Sequence, residues 1–233
     1  MKLYYDLHIH SALSPCADND MTPNNIVNMS LIKGLDVISV TDHNSCANVR
    51  AVVEAAAGRI LVIPGMEIET SEEIHVVCYF PTVELAEKMW EYVGEYMKKI
   101  QNREEIYGEQ LCMDKDDNVI KKEQMLLVTA TDLDIYSVVS KVKELGGAAV
   151  PAHIDRSSYS VLSSLGYMPP DLNVATVEIT SKNREKLSAE YKNYNIISNS
   201  DAHYLEDIHE PEFYIDVVFK SAEKVIEYLC KKE

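Results

Sequence analysis

The residues able to do chemistry in this chain are its histidines, at positions 8, 10, 43, 75, 153, 203 and 209. His8 and His10 lie two apart in DLHIHS (6–11). On a β-strand, residues i and i+2 share a face, so both imidazoles can grip one ion. Imidazole suits zinc, iron and other transition metals. His43 follows Asp42 at the end of an apolar run, His153 ends AAVPAH, and Asp201 and His203 close NSDAH. His75 opens IHVVCYF, and Glu67 follows Pro64-Gly65. The candidate ligands are therefore His8, His10, His43, Glu67, His75, His153, Asp201 and His203. That is more than one zinc needs, since catalytic zinc takes about three protein ligands and a water. Two or three divalent ions (Zn, Mn or Fe) fit better, with Glu67 bridging a pair. Bridged ions generate hydroxide from bound water at neutral pH and clamp the attacking and leaving oxygens of a displacement. That is phosphoester chemistry.

The elements that position these residues read as an α/β chain of one domain, or one domain with an insertion. Leu3 to His10 is the first strand. Thr22-Pro23 is a helix-opening signal, because Thr caps and Pro fits the first turn, and Gly34 ends that helix. LDVISVT (35–41) is apolar throughout, as in a strand buried on both faces. A helix over 47–57, a strand over 60–63 that delivers Glu67, and a strand over 74–80 follow. This alternation implies parallel strands wrapped by helices. A long helix over 83–106 then breaks the rhythm, followed by a hairpin over 110–128 that turns at Asp116-Asp117-Asn118, and a helix over 137–145. Residues 82–146 are read as an insertion, either a lid over the site or an ordinary helical excursion of one loop. The flanking segments 1–81 and 147–233 form the main domain. Strands over 148–153, 174–180, 196–200 and 213–219 and a helix over 222–230 complete it. In barrels of this kind, active residues collect where strands end. His75 departs from that rule unless its strand runs against the others.

The net charge is −16. A nucleic-acid polymer or an anionic membrane would need clustered Lys and Arg, so neither is expected as a partner. A small phosphorylated substrate is not excluded, because bound divalent ions reverse the local potential. There is no run of roughly 18 apolar residues to span a membrane. Met1-Lys2 leads into a strand without the apolar core of a signal peptide, so a cytoplasmic location is expected. The five cysteines at 16, 46, 78, 112 and 230 lack a CxxC pair and read as reduced thiols.

DLHIHS, VTDHN, PGMEIE, IHVVCYF, PAHID and NSDAH, in that order and spacing, resemble the PHP (polymerase and histidinol phosphatase) superfamily. The resemblance implies a distorted (β/α)7 barrel, here with a helical and hairpin insertion, and a trinuclear metal site that hydrolyses phosphoesters. It implies one ion on His8, His10, Glu67 and Asp201, a second on Glu67, His75 and His153, and a third on His43 and His203 with one ligand from the loop after HxH. The family's aspartate in that loop has no clear match here. Counting back from Thr22-Pro23 gives Asp18; counting forward from His10 gives Pro15 or Cys16. Asp18 is favoured over Cys16. Asp6 and Asp42 flank ligands and are read as orienting them. Arg156 is read as a phosphate clamp, against the alternative of a surface arginine, and His203 as a donor of the leaving-group proton. Glu69 and Glu178 are read as structural, and His209 as a solvated loop histidine. The expected activity is hydrolysis of small phosphate monoesters such as nucleotides, the branch of the family with a similarly placed insertion. Histidinol phosphate is the runner-up substrate. The alternatives are a phosphodiesterase or exonuclease acting on short oligonucleotides, a non-catalytic metal-binding module, and an amidohydrolase.

Overall fold

A computed structural model describes residues 1–231 of the chain. The first half runs β1 (Lys2–Ile9), α1 (Pro23–Ile32), β2 (Val37–Val40), α2 (Val49–Ala56), β3 (Leu61–Val62), β4 (Gly65–Glu69), β5 (His75–Tyr79), α3 (Val83–Tyr96) and α4 (Glu104–Tyr107). A hairpin of β6 (Leu111–Met113) and β7 (Val119–Lys122) follows, then α5 (Ile135–Glu144), β8 (Ala148–Pro151), α6 (Val161–Leu165), β9 (Thr176–Glu178), α7 (Ser181–Ser188) and β10 (Asn195–Ile197). A 3₁₀ turn (Leu205–Asp207), β11 (Tyr214–Asp216) and α8 (Ala222–Cys230) end it.

Thr22 caps α1 by accepting from the Asn25 N–H, and Pro23 occupies its first turn, as the dipeptide predicts. The helix expected over 83–106 stops at Tyr96. Its buried stripe is Val83, Ala86, Met89 and Val93; beyond it come Lys98 and Lys99, which have no apolar face to bury, and Met97 is already extended. Helix stability in a protein rests on such a face.

Among the described residues the strands form four separate sheets: β11-β1-β2-β3, β4-β5-β8, β10-β9 and β6-β7. The continuous (β/α)7 wall expected above is not formed by these ladders. Several strands have only two or three residues, too few to carry unbroken pairing around a ring. Two isolated bridges span gaps between sheets, His43 to Glu67 and Ile9 to Ala202, and both lie at or beside candidate ligands. β5 pairs antiparallel with both β4 and β8. His75, at its start, therefore lies at the same end as the other histidines.

Three apolar clusters organise the layers. The inner one holds Leu3, Tyr5, Leu7, Val77, Tyr79, Val150, Ala152 and Ile197, with Val225, Ile226 and Leu229 of α8 packed on it. An outer layer under α1 and α2 holds Ile9, Ile38 and Val40. The other outer layer holds Met66, Ile68, Val76 and Cys78 together with Ala86, Met89 and Val93 of α3 and Val138, Val139 and Val142 of α5. Each aliphatic side chain fully buried there contributes roughly 1.5–3 kcal/mol. Both long helices of 82–146 thus share the main core. The stretch between them lies over the loop after HxH. There the Leu111 N–H donates to the Ala12 carbonyl, the Asn48 side chain donates to the Leu111 carbonyl, and the Met113 N–H donates to Asn48.

Candidate metal centre

Strict alternation along β1 would put Leu3, Tyr5 and Leu7 inside and His8 outside. A register irregularity between Asp6 and Ile9 changes the parity. Leu7 stays in the inner cluster, Ile9 joins the outer one, and His8 and His10 both turn inward. His153 is re-aimed by another device. Ala148, Val150 and Ala152 face inward and Ile154 outward, and the step between them is taken at His153, whose φ is 28°. Asp201 also sits in the left-handed region, at φ 54°. Such strained non-glycine backbone collects at functional sites. Glu67 and Glu69 need no device: they alternate with Met66 and Ile68 along β4 and face inward by parity.

The side chains so delivered crowd around one carboxylate. The oxygens of Glu67 lie 2.9 Å from His75 Nδ1, 3.0 Å from His43 Nδ1, 3.3 Å from His8 Nε2, 3.5 Å from His153 Nε2 and 3.6 Å from His10 Nε2. Asp201 Oδ1 lies 3.3 Å from His8 Nε2 and 3.1 Å from His10 Nε2. Three groups have ligand atoms all within 4.8 Å of one another: His8, His10 and Asp201; His43, Glu67 and His75; and His10, His43 and His203. His43 therefore adjoins both Glu67 and His203, while His153 meets the cluster through Glu67.

The imidazoles are oriented from behind. His8 Nδ1 donates to the buried Glu178 carboxylate at 3.0 Å. His10 Nδ1 donates to Ser14 Oγ at 2.9 Å, and Ser14 in turn donates to Asp42 at 2.7 Å. His203 Nδ1 donates to the Asp201 carbonyl at 2.8 Å. In all three rings Nε2 is left facing the cluster, the tautomer that metal-binding histidines adopt when the other nitrogen donates to an oxygen. The fit to divalent ions is direct. His8 Nε2, His43 Nδ1, both Glu67 oxygens and both His153 nitrogens are buried without a hydrogen-bond partner. Orphaned buried polar atoms are rare, and ions held among them would satisfy the group together.

The electrostatics are those of a dense, desolvated cluster. Burial alone would push the Glu67 carboxyl up, but the surrounding imidazoles, His75 and His8 first, outweigh it and hold it well below the usual carboxylate range. Burial disfavours charge on every ring. His8 is nonetheless raised by Glu178, Asp201 and Glu67, whereas His10 is driven down by burial and by neighbouring His43.

The loop after HxH differs from the reading above. Asp18 is exposed, and its carboxylate accepts from the Asp20 N–H at 2.8 Å. The structure does not bring it to the cluster, because a turn of Ser11 to Ala17 directs the chain past the site before residue 18. Cys16 of this loop lines a cavity with His43 and His75, and its thiol feels the imidazoles of His43 and His203. Burial would push that thiol up; the two imidazoles bring it down to about 7. Asp6 and Asp42 touch no imidazole. Asp42 holds Ser11 and Ser14, and Asp6 accepts from the Ser200 and His209 N–H groups. Arg156 Nη1 lies 2.6 Å from Asp201 Oδ2 with its side chain 44% exposed. Glu178 and Glu69, read from sequence as structural, both stand beside the site: Glu178 holds His8, and the Glu69 carboxylate lies 4.0 Å from His75 Nε2. Inward parity beside a candidate ligand was the available signal for Glu69. Nothing local in sequence marks Glu178 as the partner of His8. His209 is half-buried against Phe213.

The centre opens into a cleft of about 120 Å³ lined by His43, His75, His153, Arg156, Tyr159 and His203 among others. It shares His43, His75 and Tyr159 with a neighbouring cavity of about 350 Å³, walled also by Cys16, Glu69, Ile106, Tyr107 and Val128. Residues 106, 107 and 128 come from the stretch between α3 and α5.

A model of the PHP domain matches residues 6–217. A 5'-3' exoribonuclease of Haemophilus influenzae is 35% identical over 77 residues, 31% of this chain and 27% of that protein. Among solved structures, a lesion-specific endonuclease, endonuclease Q from Pyrococcus furiosus, superposes with a TM-score of 0.66 at 18% identity, over 99% of this chain and 56% of its own. A protein described as a metal-dependent phosphoesterase from Bifidobacterium adolescentis gives 0.61 at 17% identity, over 98% and 96%. The chain spans only 21% and 27% of the length of the curated relatives it matches. Endonuclease Q has also been seen with a 27-mer duplex bearing an abasic lesion at the active site. A protein of this fold is thus seen with nucleic acid, a partner that the acidic charge of this chain is read against. Among the described residues, no helix is long and apolar enough to cross a membrane.

Proposed function

The chain belongs to the PHP domain family, and from that premise we propose that it is a metal-dependent phosphoesterase acting on a small phosphate monoester of the nucleotide type. The observation that carries this reading is the ring of five imidazoles within 3.6 Å of the orphaned Glu67 carboxylate. His8, His10, Glu67, Asp201, His43, His75, His153 and His203 would hold two or three divalent ions. Such ions supply Lewis acidity toward the phosphoryl oxygens and lower the pKa of water.

The chain's own residues bind and orient. Glu178, Ser14 and the Asp201 carbonyl fix three rings with Nε2 inward. Arg156 stands at the cleft with a half-exposed guanidinium, placed to pair with a phosphoryl group in the two-pronged way that guanidinium favours. Hydrolysis adds water oxygen to phosphorus, breaks the bond to the leaving oxygen and returns one proton to it. With Nδ1 of His203 on the Asp201 carbonyl, we assign His203 to ion binding. The leaving-group proton then comes from water in the open cleft rather than from His203. A net charge of −16 disfavours a long polyanion and leaves a compact substrate favoured.

Cleavage of short oligonucleotides is the second reading, favoured by the exoribonuclease relative. The test is phosphate release by manganese-reconstituted protein from AMP, bis-phosphorylated nucleosides, histidinol phosphate and dinucleotides, with His10→Ala as control. Release from nucleotide monoesters, lost in the variant, is the expected result. Cleavage of diesters alone would select the second reading, and no turnover by fully loaded protein would refute both.

A further inference from the structure

We propose that the cavity beside the metal centre is the leaving-group subsite and that it is shaped for a nucleoside, with the base against Tyr107 and Tyr159 and a ribose hydroxyl on Glu69. The inference rests on the phosphoesterase reading of the centre and deepens it, by assigning residues to the part of the substrate that does not react. The cavity measures about 350 Å³, inside the roughly 300–1,000 Å³ of small-molecule sites. It shares His43, His75 and Tyr159 with the metal cleft, so a phosphoryl group held at the centre would carry its leaving group into it. Ile106, Tyr107 and Tyr159 line it and are exposed. Exposed apolar side chains scattered singly are ordinary, but gathered at one concave place they mark a binding surface. Aromatic faces suit a nucleobase of any kind, because every base has a π-face.

The walls are held in place. The Tyr159 ring stacks on His75, 4.9 Å between centroids and 25° between planes. Its backbone is left-handed, at φ 54°, and its carbonyl accepts from the His75 N–H at 3.0 Å; strain of that kind collects at functional sites. Buried Asn44 fastens two other parts of the wall. Its Nδ2 donates to the carbonyls of Leu127 and Thr129, on either side of Val128, at 2.8 and 3.0 Å, and its Oδ1 accepts from the Glu69 N–H at 3.1 Å. The side chain of Glu69 is 9% exposed and lines the cavity. Among the described residues its ion-pair partner is His75 Nε2, at 4.0 Å, too long for a hydrogen bond. A buried carboxylate is costly without donors, and a hydroxyl of a bound ligand would supply one. Glu69 stands beside a candidate metal ligand, as the sugar of a nucleotide stands beside its phosphate.

The test uses the manganese-loaded full chain, titrated calorimetrically with adenosine, 2',3'-dideoxyadenosine, ribose and histidinol, none of which carries a phosphate. Adenosine is expected to bind more tightly than ribose, and Tyr107→Ala to weaken it ~5–150-fold, the loss of one stacking partner. The dideoxy analogue is expected to bind wild type on the order of 10–100-fold more weakly than adenosine, and Glu69→Met, which keeps the bulk without the acceptors, to erase that difference. Ion counts and melting temperatures of both variants check that fold and centre persist; Tyr107 is exposed, so that variant keeps the test open if Glu69→Met does not fold. In turnover, Tyr107→Ala should raise KM for AMP and shrink its advantage over ribose 5-phosphate by the same factor. Adenosine binding no tighter than ribose, binding of histidinol in its place, or full adenosine affinity in Tyr107→Ala would overturn the proposal. Equal binding of the dideoxy analogue by wild type would overturn the role of Glu69. Any of these with phosphate release intact leaves the phosphoesterase reading standing, whereas adenosine binding without turnover of any phosphoester would fail that reading instead.

Discussion

Replacing Glu178 tests whether the metal centre is held from behind as the geometry implies. Its carboxylate is 2% exposed, takes the His8 Nδ1 proton at 3.0 and 3.3 Å, and also accepts from Asn199 Nδ2 at 3.3 Å. Asn199 in turn accepts from the Leu7 N–H at 2.8 Å. The pair thus fixes both the tautomer of His8 and the backbone just before it. The hydrogen bond of Glu178 into the cluster is to His8, so its effect on metal passes through that ring. Loss of such an outer partner costs ~10–100-fold in affinity, or roughly 1.4–2.8 kcal/mol at about 1.4 kcal/mol per decade. Glu178→Gln keeps volume and one acceptor oxygen but removes the charge, and belongs near tenfold. Glu178→Ala leaves the ring free to turn and belongs near a hundredfold. The assay is zinc or manganese competition against a chromophoric chelator, with circular dichroism of each metal-free variant confirming the fold. Affinity of folded Glu178→Ala within twofold of wild type would refute the reasoning, because the orientation of His8 would then not matter to the ion.

Three further expectations follow from individual contacts. A Cβ at Gly108, where φ is +101°, would lie 2.2 Å from the Pro15 carbonyl oxygen, so Gly108→Ala should cost on the order of 1–3 kcal/mol; calorimetry showing an unchanged melting temperature would contradict that docking. Arg156→Ala removes a charge-assisted contact of the kind worth roughly 1.5–3 kcal/mol, and should lower kcat/KM for a phosphomonoester on the order of 10–100-fold, mainly through KM; an unaltered KM would return Arg156 to the role of a mere partner of Asp201. In metal-free protein, iodoacetamide should label Cys16 faster as pH rises through about 7, where its thiolate forms, while Cys46 and Cys78, whose thiols burial pushes up, stay unlabelled; a pH-independent rate measured by mass spectrometry would count against that environment.

The parts legible in sequence were those written in local pattern. Thr22-Pro23 marks the start of α1, Asp116-Asp117-Asn118 marks the hairpin turn, and the apolar runs mark the buried strands that carry His43 and His75. The structure gathers His8, His10, His43, Glu67, His75, His153, Asp201 and His203 at one place, as their positions at strand ends suggested. What pattern did not carry was the path of the backbone between those marks. The irregularity in β1 that turns His8 inward, and the left-handed step at His153, are single-residue events that alternation does not foresee. Asp18 was favoured by counting along a loop, but the turn through 11–17 leaves its carboxylate exposed on the Asp20 N–H. Glu178 orients a ring 170 residues away in the chain, a pairing that only the tertiary fold sets. Among the described residues the ladders trace four separate sheets and no closed wall, because strands this short pair over only a few residues each.

The most direct test of the multinuclear centre is the metal content of purified, reconstituted protein, counted by mass spectrometry for wild type and Glu67→Gln. Five imidazoles converge on this one carboxylate, so wild type should hold two or three ions per chain, and the single substitution should remove at least two of them together with phosphoester turnover. A folded Glu67→Gln protein that keeps its full complement of ions would contradict the account, because the histidines would then be assembling without the carboxylate at their centre.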